Sequence, residues 1–275
     1  MNTATTAGLA LDHLTVVDTT PSQLVEAAAA ANCRAICAFL EPMSVLPDMP
    51  QFEMKTGSAE FQRTKSLMAE FGIGLDIAYP FTLAGRTDVS AFRPVFECAA
   101  GLDAWAVNVL NYDRDPARQA EKFAAFCELA AEFDLNVVVE FFPQSQVKTL
   151  EQALELVKQV NKPGRVGVNV DLLHLVRSGG SVEELAAAPA EFILYGQYCD
   201  APATCEPDQR DFEASSQRMI AGAGALDMAG FARALPPSCR ASVELPQHDA
   251  LTSGMSKIDR ARRAVAGVTA LLADL

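Results

Sequence analysis

A single (β/α)₈ barrel is the fold class the sequence predicts, and three observations predict it. Eight short apolar runs alternate with amphipathic helical stretches from end to end of the 275 residues. Most of the runs are rich in Val, Ile and Phe without strict polar alternation, which suits strands covered on both faces in a parallel sheet. No composition shift or flexible linker interrupts the alternation, so residues 1–275 read as one domain. Eight β/α units in about 250 residues is the arithmetic of such a barrel. A doubly wound open sheet is the competing arrangement, weakened because no G-x-G-x-x-G follows the first strand.

In chain order, the strands are read at 11–18, 34–41, 74–81, 104–111, 136–143, 166–173, 193–200 and 239–246. The helices between them carry readable starts. Pro21 stands at a first-turn position, and Asp115 precedes Pro116 as an N-cap. Thr149 with Gln152, and Ser181 with Glu184, have the spacing of capping boxes. A last helix is read at 256–274. Two connections, 42–57 and 201–226, exceed ordinary loop lengths. Both follow the carboxyl ends of strands, the side on which barrel active sites are built.

Composition narrows the function classes. A net charge of −13 opposes a nucleic-acid backbone or an anionic membrane as partner. The amino terminus has no basic region followed by an apolar core, and no stretch approaches the roughly 20 apolar residues of a membrane span. Seven cysteines without a C-x-x-C read as reduced, structural thiols, so a cytoplasmic location is expected.

The run "NVVVEFFPQ" (136–144) poses the functional question, because it buries one carboxylate, Glu140, among valines and phenylalanines. An unpaired buried carboxylate is costly and must neutralise, pair or bind a metal. Asp171, Gln197 and Glu244 repeat the oddity near the ends of the next three strands. In a closed barrel those four ends converge on one side of the mouth. Three crowded carboxylates need a cation to remain ionised. The all-oxygen donor set suits Mg²⁺ or Mn²⁺ better than Zn²⁺.

His174, three residues beyond Asp171, fits either a turn histidine bonded to backbone or a substrate-facing donor beside the ion. His248 reads as a surface loop residue, and His13 receives no role. The "RSGGS" turn at 177–181 reads as a glycine turn before the Ser181 cap rather than a phosphate cradle.

The segments "VEFFP", "VDLLHLVRSGGS", "GQYCDAP" and "SVELP", in this order, resemble the sugar phosphate isomerase/epimerase proteins of the xylose isomerase-like TIM-barrel superfamily. The resemblance covers nearly the whole chain. It implies that Glu140, Asp171, Gln197 and Glu244 bind one divalent metal, Mn²⁺ or Mg²⁺. It further implies that Glu140 and Glu244 act as the acid/base pair and that His174 contacts substrate hydroxyls. Arg218 matches the arginine of an R-x-x-P-G-x-G loop and is assigned to substrate binding. The expected activity is isomerisation or epimerisation of a small polyhydroxy carbonyl compound, a sugar, sugar phosphate or inosose-like molecule, by proton transfer through an enediolate.

The chain departs from the sugar epimerases at Gln197, where they usually have histidine, and at Gln146, where they have a second substrate-contacting glutamate. Ala221 replaces the loop proline, which points to greater loop freedom. Gln197 resembles instead the 3-dehydroshikimate dehydratases, though the arginine and histidine those enzymes carry after the first glutamate are lacking in "EFFPQSQVK". Dehydration is therefore the alternative chemistry, and a non-catalytic ligand-binding barrel the alternative class. Arg86, Arg177 and Arg210 are expected to be solvated. Endonuclease IV-type repair is excluded by three histidines and the acidic balance. The partner is a small molecule, and assembly into a homo-oligomer is compatible with the sequence.

Overall fold

The computed structural model describes residues 8–275, so the first seven residues of the expected domain lie outside it. Eight parallel strands close into a barrel in sequence order, β1-β2-β3-β4-β5-β6-β7-β8. They are β1 (Ala10–Asp12), β2 (Ala35–Phe39), β3 (Gly74–Leu83), β4 (Ala106–Asn111), β5 (Asn136–Glu140), β6 (Val166–Asp171), β7 (Ile193–Tyr198) and β8 (Arg240–Val243). Pairing of Ala10 with Ser242 and of Leu11 with Val243 closes the ring.

Eleven α-helices lie among the described residues. The first five are α1 (Pro21–Ala30), α2 (Ala59–Phe71), α3 (Arg93–Gly101), α4 (Pro116–Glu132) and α5 (Leu150–Val160). Then come α6 (Leu172–Arg177), α7 (Val182–Ala187), α8 (Arg210–Ser215), α9 (Met228–Ala234), α10 (His248–Thr252) and α11 (Lys257–Ala273). None is long and apolar enough to cross a membrane.

The helix starts follow the local chemistry of the sequence. Asp115 accepts from the backbone N–H groups of Ala117 and Arg118, satisfying donors that the first turn of α4 leaves open. Thr149 accepts from Gln152, and capping boxes form at Thr20 with Gln23 and at Ser181 with Glu184.

Strand alternation sorts the core into two shells. Residues of one parity, among them Ala10, Cys37, Ile77, Val138 and Tyr195, pack together as the barrel interior. Residues of the other parity meet the helices, where Phe81, Phe96 and Phe126 pack edge to face with ring centroids 5.0–5.5 Å apart. Truncating one of these fully buried rings would cost about 3–5 kcal/mol.

Three elements differ from the sequence reading. The first strand stops at Asp12, whose side chain accepts from the Leu14 N–H and caps a 3₁₀ turn, His13–Val16. The sixth strand stops at Asp171, because that side chain accepts from the His174 N–H and starts α6. Finally, 201–226 is not all loop: it holds α8. The segment is also firmly held, despite Ala221 in place of proline. Asp200 accepts from the backbone N–H groups of Gly222, Gly224 and Leu226 at 2.9–3.1 Å. Gly222 adopts φ +83°, and a side chain on Gly224 would run into Asp200, so both glycines are required by the turn.

Candidate metal and active site

Register brings the strand-end residues together at the carboxyl mouth. Asp171 pairs across the sheet with Gln197, and Glu140 with Asn169, two residues before Asp171 on the same inward face. Glu244 follows β8 directly. All four expected ligands are buried: Glu140, Asp171, Gln197 and Glu244. Glu140, Gln197 and Glu244 line one end of a cavity of about 270 Å³ that also reaches His174 and Arg218, and Asp171 lies directly behind, bonded to Arg218.

The carboxylates are held from behind. Asn108 Nδ2 donates to Glu140 Oε2 at 2.6 Å. Asn169 Nδ2 donates to Gln197 Oε1 at 2.6 Å, and Gln197 Nε2 donates to Asp12 Oδ2 at 3.4 Å. Asp12 in turn accepts from the Tyr79 hydroxyl at 2.7 Å. Arg218 reaches in from the β7–β8 connection, its Nη1 2.7 Å from Asp171 Oδ2 and 3.4 Å from Glu244 Oε2. Its Nη2 donates to the carbonyl of Ala214, which anchors the side chain to the end of α8.

Ionisation in this cluster is uneven. Burial pushes the Glu140 carboxyl up to about 8, and the neighbouring Asp171 charge pushes in the same direction. Burial likewise holds Glu244 well above the usual carboxylate range, against the pull of Arg218. Asp171 goes the other way: burial alone would raise it, but the Arg218 guanidinium keeps it well below the usual range. Burial raises Asp12 to about 6, opposed by the Tyr79 hydrogen bond. Burial also lowers His174 to about 4, so its imidazole is neutral at ordinary pH.

One guanidinium therefore stands among three expected ligand carboxyl groups and holds only Asp171 ionised; a divalent cation would draw Glu140 and Glu244 into their ionised forms and be matched by them. An orphaned acceptor supports the same conclusion: Asn169 Oδ1 is buried without a hydrogen-bond partner among the described residues. The donor set fits a hard divalent ion. The tightest convergence is Glu140, Asp171 and His174, whose ligand atoms lie within 4.8 Å of one another. His174 thus belongs geometrically with the carboxylates; its Nε2 is 3.5 Å from Glu140 Oε1 and its ring packs on Phe142.

Other residues fall outside the cluster. The Gly179–Gly180 turn is absent from the cavity lining, and Ser181 is occupied as the α7 cap. His13 is buried between Thr19 and Phe39, its two ring nitrogens bonded to their backbone groups. His248 packs on Phe212 at the rim. Arg86 and Arg210 are exposed as expected. Arg177 is not: it makes a two-pronged ion pair with Glu213 at 2.7–2.8 Å, tying α6 to α8.

Sequence reasoning missed Asp12, Tyr79, Asn108 and Asn169. The signal existed for three of them, since Asp12, Asn108 and Asn169 are also polar residues inside apolar strand runs. They stand early or midway in those runs, away from the strand ends where a site is expected. Tyr79 gave no signal, because an aromatic in a buried strand reads as core.

Comparison with known proteins agrees with the barrel fold. The model of the xylose isomerase-like TIM barrel matches residues 25–267. No curated protein matches the sequence. Among solved structures, the IOLI protein with a bound zinc atom superposes with TM-score 0.76 at 16% identity, covering 97% of this chain and 98% of that one. A probable 3-DHS dehydratase, AsbF, from Bacillus anthracis superposes with TM-score 0.72 at 14% identity, over 95% and 98% of the two chains. D-allulose 3-epimerase from Methylomonas sp., in complex with D-allulose, gives 0.66 at 16% identity, over 94% and 95%. At these identities the likeness is one of fold, whereas the family match rests on the sequence itself. The chain belongs to the xylose isomerase-like TIM-barrel family.

Proposed function

We propose that this protein is a divalent-metal-dependent isomerase or epimerase of a small hydroxycarbonyl compound. The observation that carries the reading is the convergence at the carboxyl mouth of three buried ligand-type carboxyl groups, two of them paired with the same arginine. Glu140, Asp171, Gln197 and Glu244 are the assigned ligands, with His174 close enough to join them. Mn²⁺ or Mg²⁺ suits the oxygen donors. A bound ion would polarise the substrate carbonyl and stabilise the charge of an enediolate.

The chain's own residues would carry the proton. Glu140 is held at Oε2 by Asn108, so Oε1 is the oxygen presented to a substrate C–H. Burial raises this carboxyl in the metal-free protein, and beside a bound cation it would favour the ionised form that accepts a proton. Glu244 takes the complementary role and returns the proton. Return to the opposite face gives epimerisation; return to the neighbouring carbon gives isomerisation. His174, neutral and buried against Phe142, is placed to hydrogen-bond a substrate hydroxyl, and Arg218 holds Asp171 ionised throughout.

The test is proton NMR in D₂O with the metal-loaded protein and a panel of ketoses, inososes, hydroxypyruvate and 3-dehydroshikimate. Deuterium entering next to a carbonyl without loss of water supports the proposal. Conversion of 3-dehydroshikimate to an aromatic product would make the dehydratase alternative correct, which the Gln197 position favours. Metal binding with no exchange in any compound would point to a ligand-binding barrel.

A further inference from the structure

The cavity is divided into two unlike halves. Its β5–β8 side carries Glu140, Asn169, His174, Gln197, Arg218 and Glu244. The opposite wall, from β2, β3, β4 and the 40–58 connection, presents Phe39, Met43, Val45, Leu46, Ile77 and Leu110. Polar groups on that side are few. The Tyr79 hydroxyl is committed to Asp12 and the Asn108 amide to Glu140, leaving Thr82 and Tyr112. The apolar wall reaches the surface at Val45, which is 75% exposed.

Charge divides the cavity in a second way. Arg218 is the one permanent cation among the lining residues, and Asp171, Glu244 and the Ala214 carbonyl already hold it. His174 is neutral. A phosphate or carboxylate group on the substrate would meet acidic side chains on one wall and hydrocarbon on the other.

We infer that the substrate is an uncharged, non-phosphorylated hydroxycarbonyl compound whose half distant from the reacting oxygens is carbon-rich, a ring or alkyl face rather than an open polyol chain. This rests on the metal-dependent hydroxycarbonyl reading above. The physical reason is desolvation: hydroxyls pressed against the Phe39–Ile77–Leu110 wall lose water without gaining partners, whereas methylenes gain by leaving it. Specificity built on an apolar wall also rejects charged analogues strongly, because nothing there compensates them.

The test is calorimetric titration of the full-length protein loaded with Mn²⁺, using paired probes. 2-Hydroxycyclohexanone and an inosose share a ring and a hydroxyketone but differ in the remaining hydroxyls. Dihydroxyacetone and its phosphate differ only in charge. At least tenfold tighter binding of 2-hydroxycyclohexanone than of the inosose, with the phosphate binding no tighter than dihydroxyacetone, is the expected result. Equal or tighter binding of the inosose, tighter binding of the phosphate, or no binding by any probe overturns the inference. Repeating the titration after metal removal separates the two readings. A preference for the apolar probe that is indifferent to Mn²⁺ would sink the metal-dependent proposal and leave the apolar half-site standing.

Discussion

The two mouths of the barrel hold buried acidic groups under opposite conditions. At the amino end, Asp76 accepts from Arg34 Nη1 at 2.8 Å, Arg240 Nη1 at 2.7 Å and the Tyr195 hydroxyl at 3.2 Å. Trp105 covers one of those arginines, its ring 4.6 Å from Arg240 Cζ. Every oxygen of that carboxylate is matched by a donor. At the carboxyl end, Arg218 pairs with Asp171 and Glu244, Glu140 is paired with no arginine or lysine among the described residues, and Asp12 lies close behind. The first arrangement closes the floor of the barrel. The second leaves buried carboxyl groups short of cationic partners, and such a cluster persists in a native fold where something else is to be bound.

The contrast can be broken from either end. The largest effect is expected at the carboxyl mouth, where Glu244→Gln should slow substrate proton exchange by about 10²–10⁴-fold. The melting temperature of the metal-free variant should stay level or rise, since a buried carboxyl that burial already disfavours as an anion is replaced by an amide of the same shape. NMR exchange and thermal melts check both, and exchange at the normal rate would falsify the acid/base assignment. At the floor, Asp76→Ala strands two arginines beside Tyr195 and should cost about 3–5 kcal/mol. Urea unfolding measures it, and divalent metal should not restore it. A loss below about 1 kcal/mol would mean that water already satisfies the partly exposed arginines.

The pH dependence sharpens the same comparison. Glu140 is raised from an ordinary 4.5 to about 8 in the folded state, so folded protein binds the extra proton. Its stabilising contribution is complete below the unfolded value and disappears as pH rises through about 8. His13 and His174 are both lowered to about 4, so they weaken the fold on acidification and contribute nothing above about 6.5. From Glu140 alone, metal-free protein should therefore lose about 2 kcal/mol between pH 6.5 and 8, and Glu244, raised in the same direction, adds to that loss. Saturating Mn²⁺ should flatten that slope, because the ion favours the ionised carboxylates. A metal-free stability curve that is flat or rising over this window would contradict the buried, uncompensated state of Glu140. Smallest is the expected effect of Asp12→Asn, which disturbs the group orienting Gln197 and should weaken Mn²⁺ binding about tenfold. Calorimetry reads it, and unchanged affinity would reduce Asp12 to a strand cap.

The legibility of the two mouths differed in the same way as their chemistry. The barrel itself was readable because a parallel sheet covered on both faces writes itself as apolar runs, and because Asp115, Thr149 and Ser181 announce their helices. Glu140, Asp171, Gln197 and Glu244 were readable because a polar residue late in an apolar strand is costly to bury unless a partner or an ion meets it there. Asp12 was hidden by the shortness of β1, which ends three residues in rather than running to 18. Arg177 was misplaced because its partner Glu213 lies 36 residues away, on a helix the sequence presents as loop. The Asp76 floor left no trace at all, since Arg34, Asp76 and Arg240 meet only after the barrel has closed.

Asp171 joins the ends of two elements: it finishes β6, and its side chain accepts the His174 N–H that begins α6. The D-x-x-H spacing is therefore also the spacing of a helix cap and its third residue. Selection for folding alone would preserve Asp171 in descendants that had abandoned chemistry, since losing the cap costs about 1 kcal/mol in any lineage. Glu140 and Glu244 start no helix, and burial acts against their ionised forms. Under the proposed acid/base roles, those two positions would be the first to drift among diverging copies of this barrel once turnover ceased, and they, rather than Asp171, would separate a working descendant from a retired one.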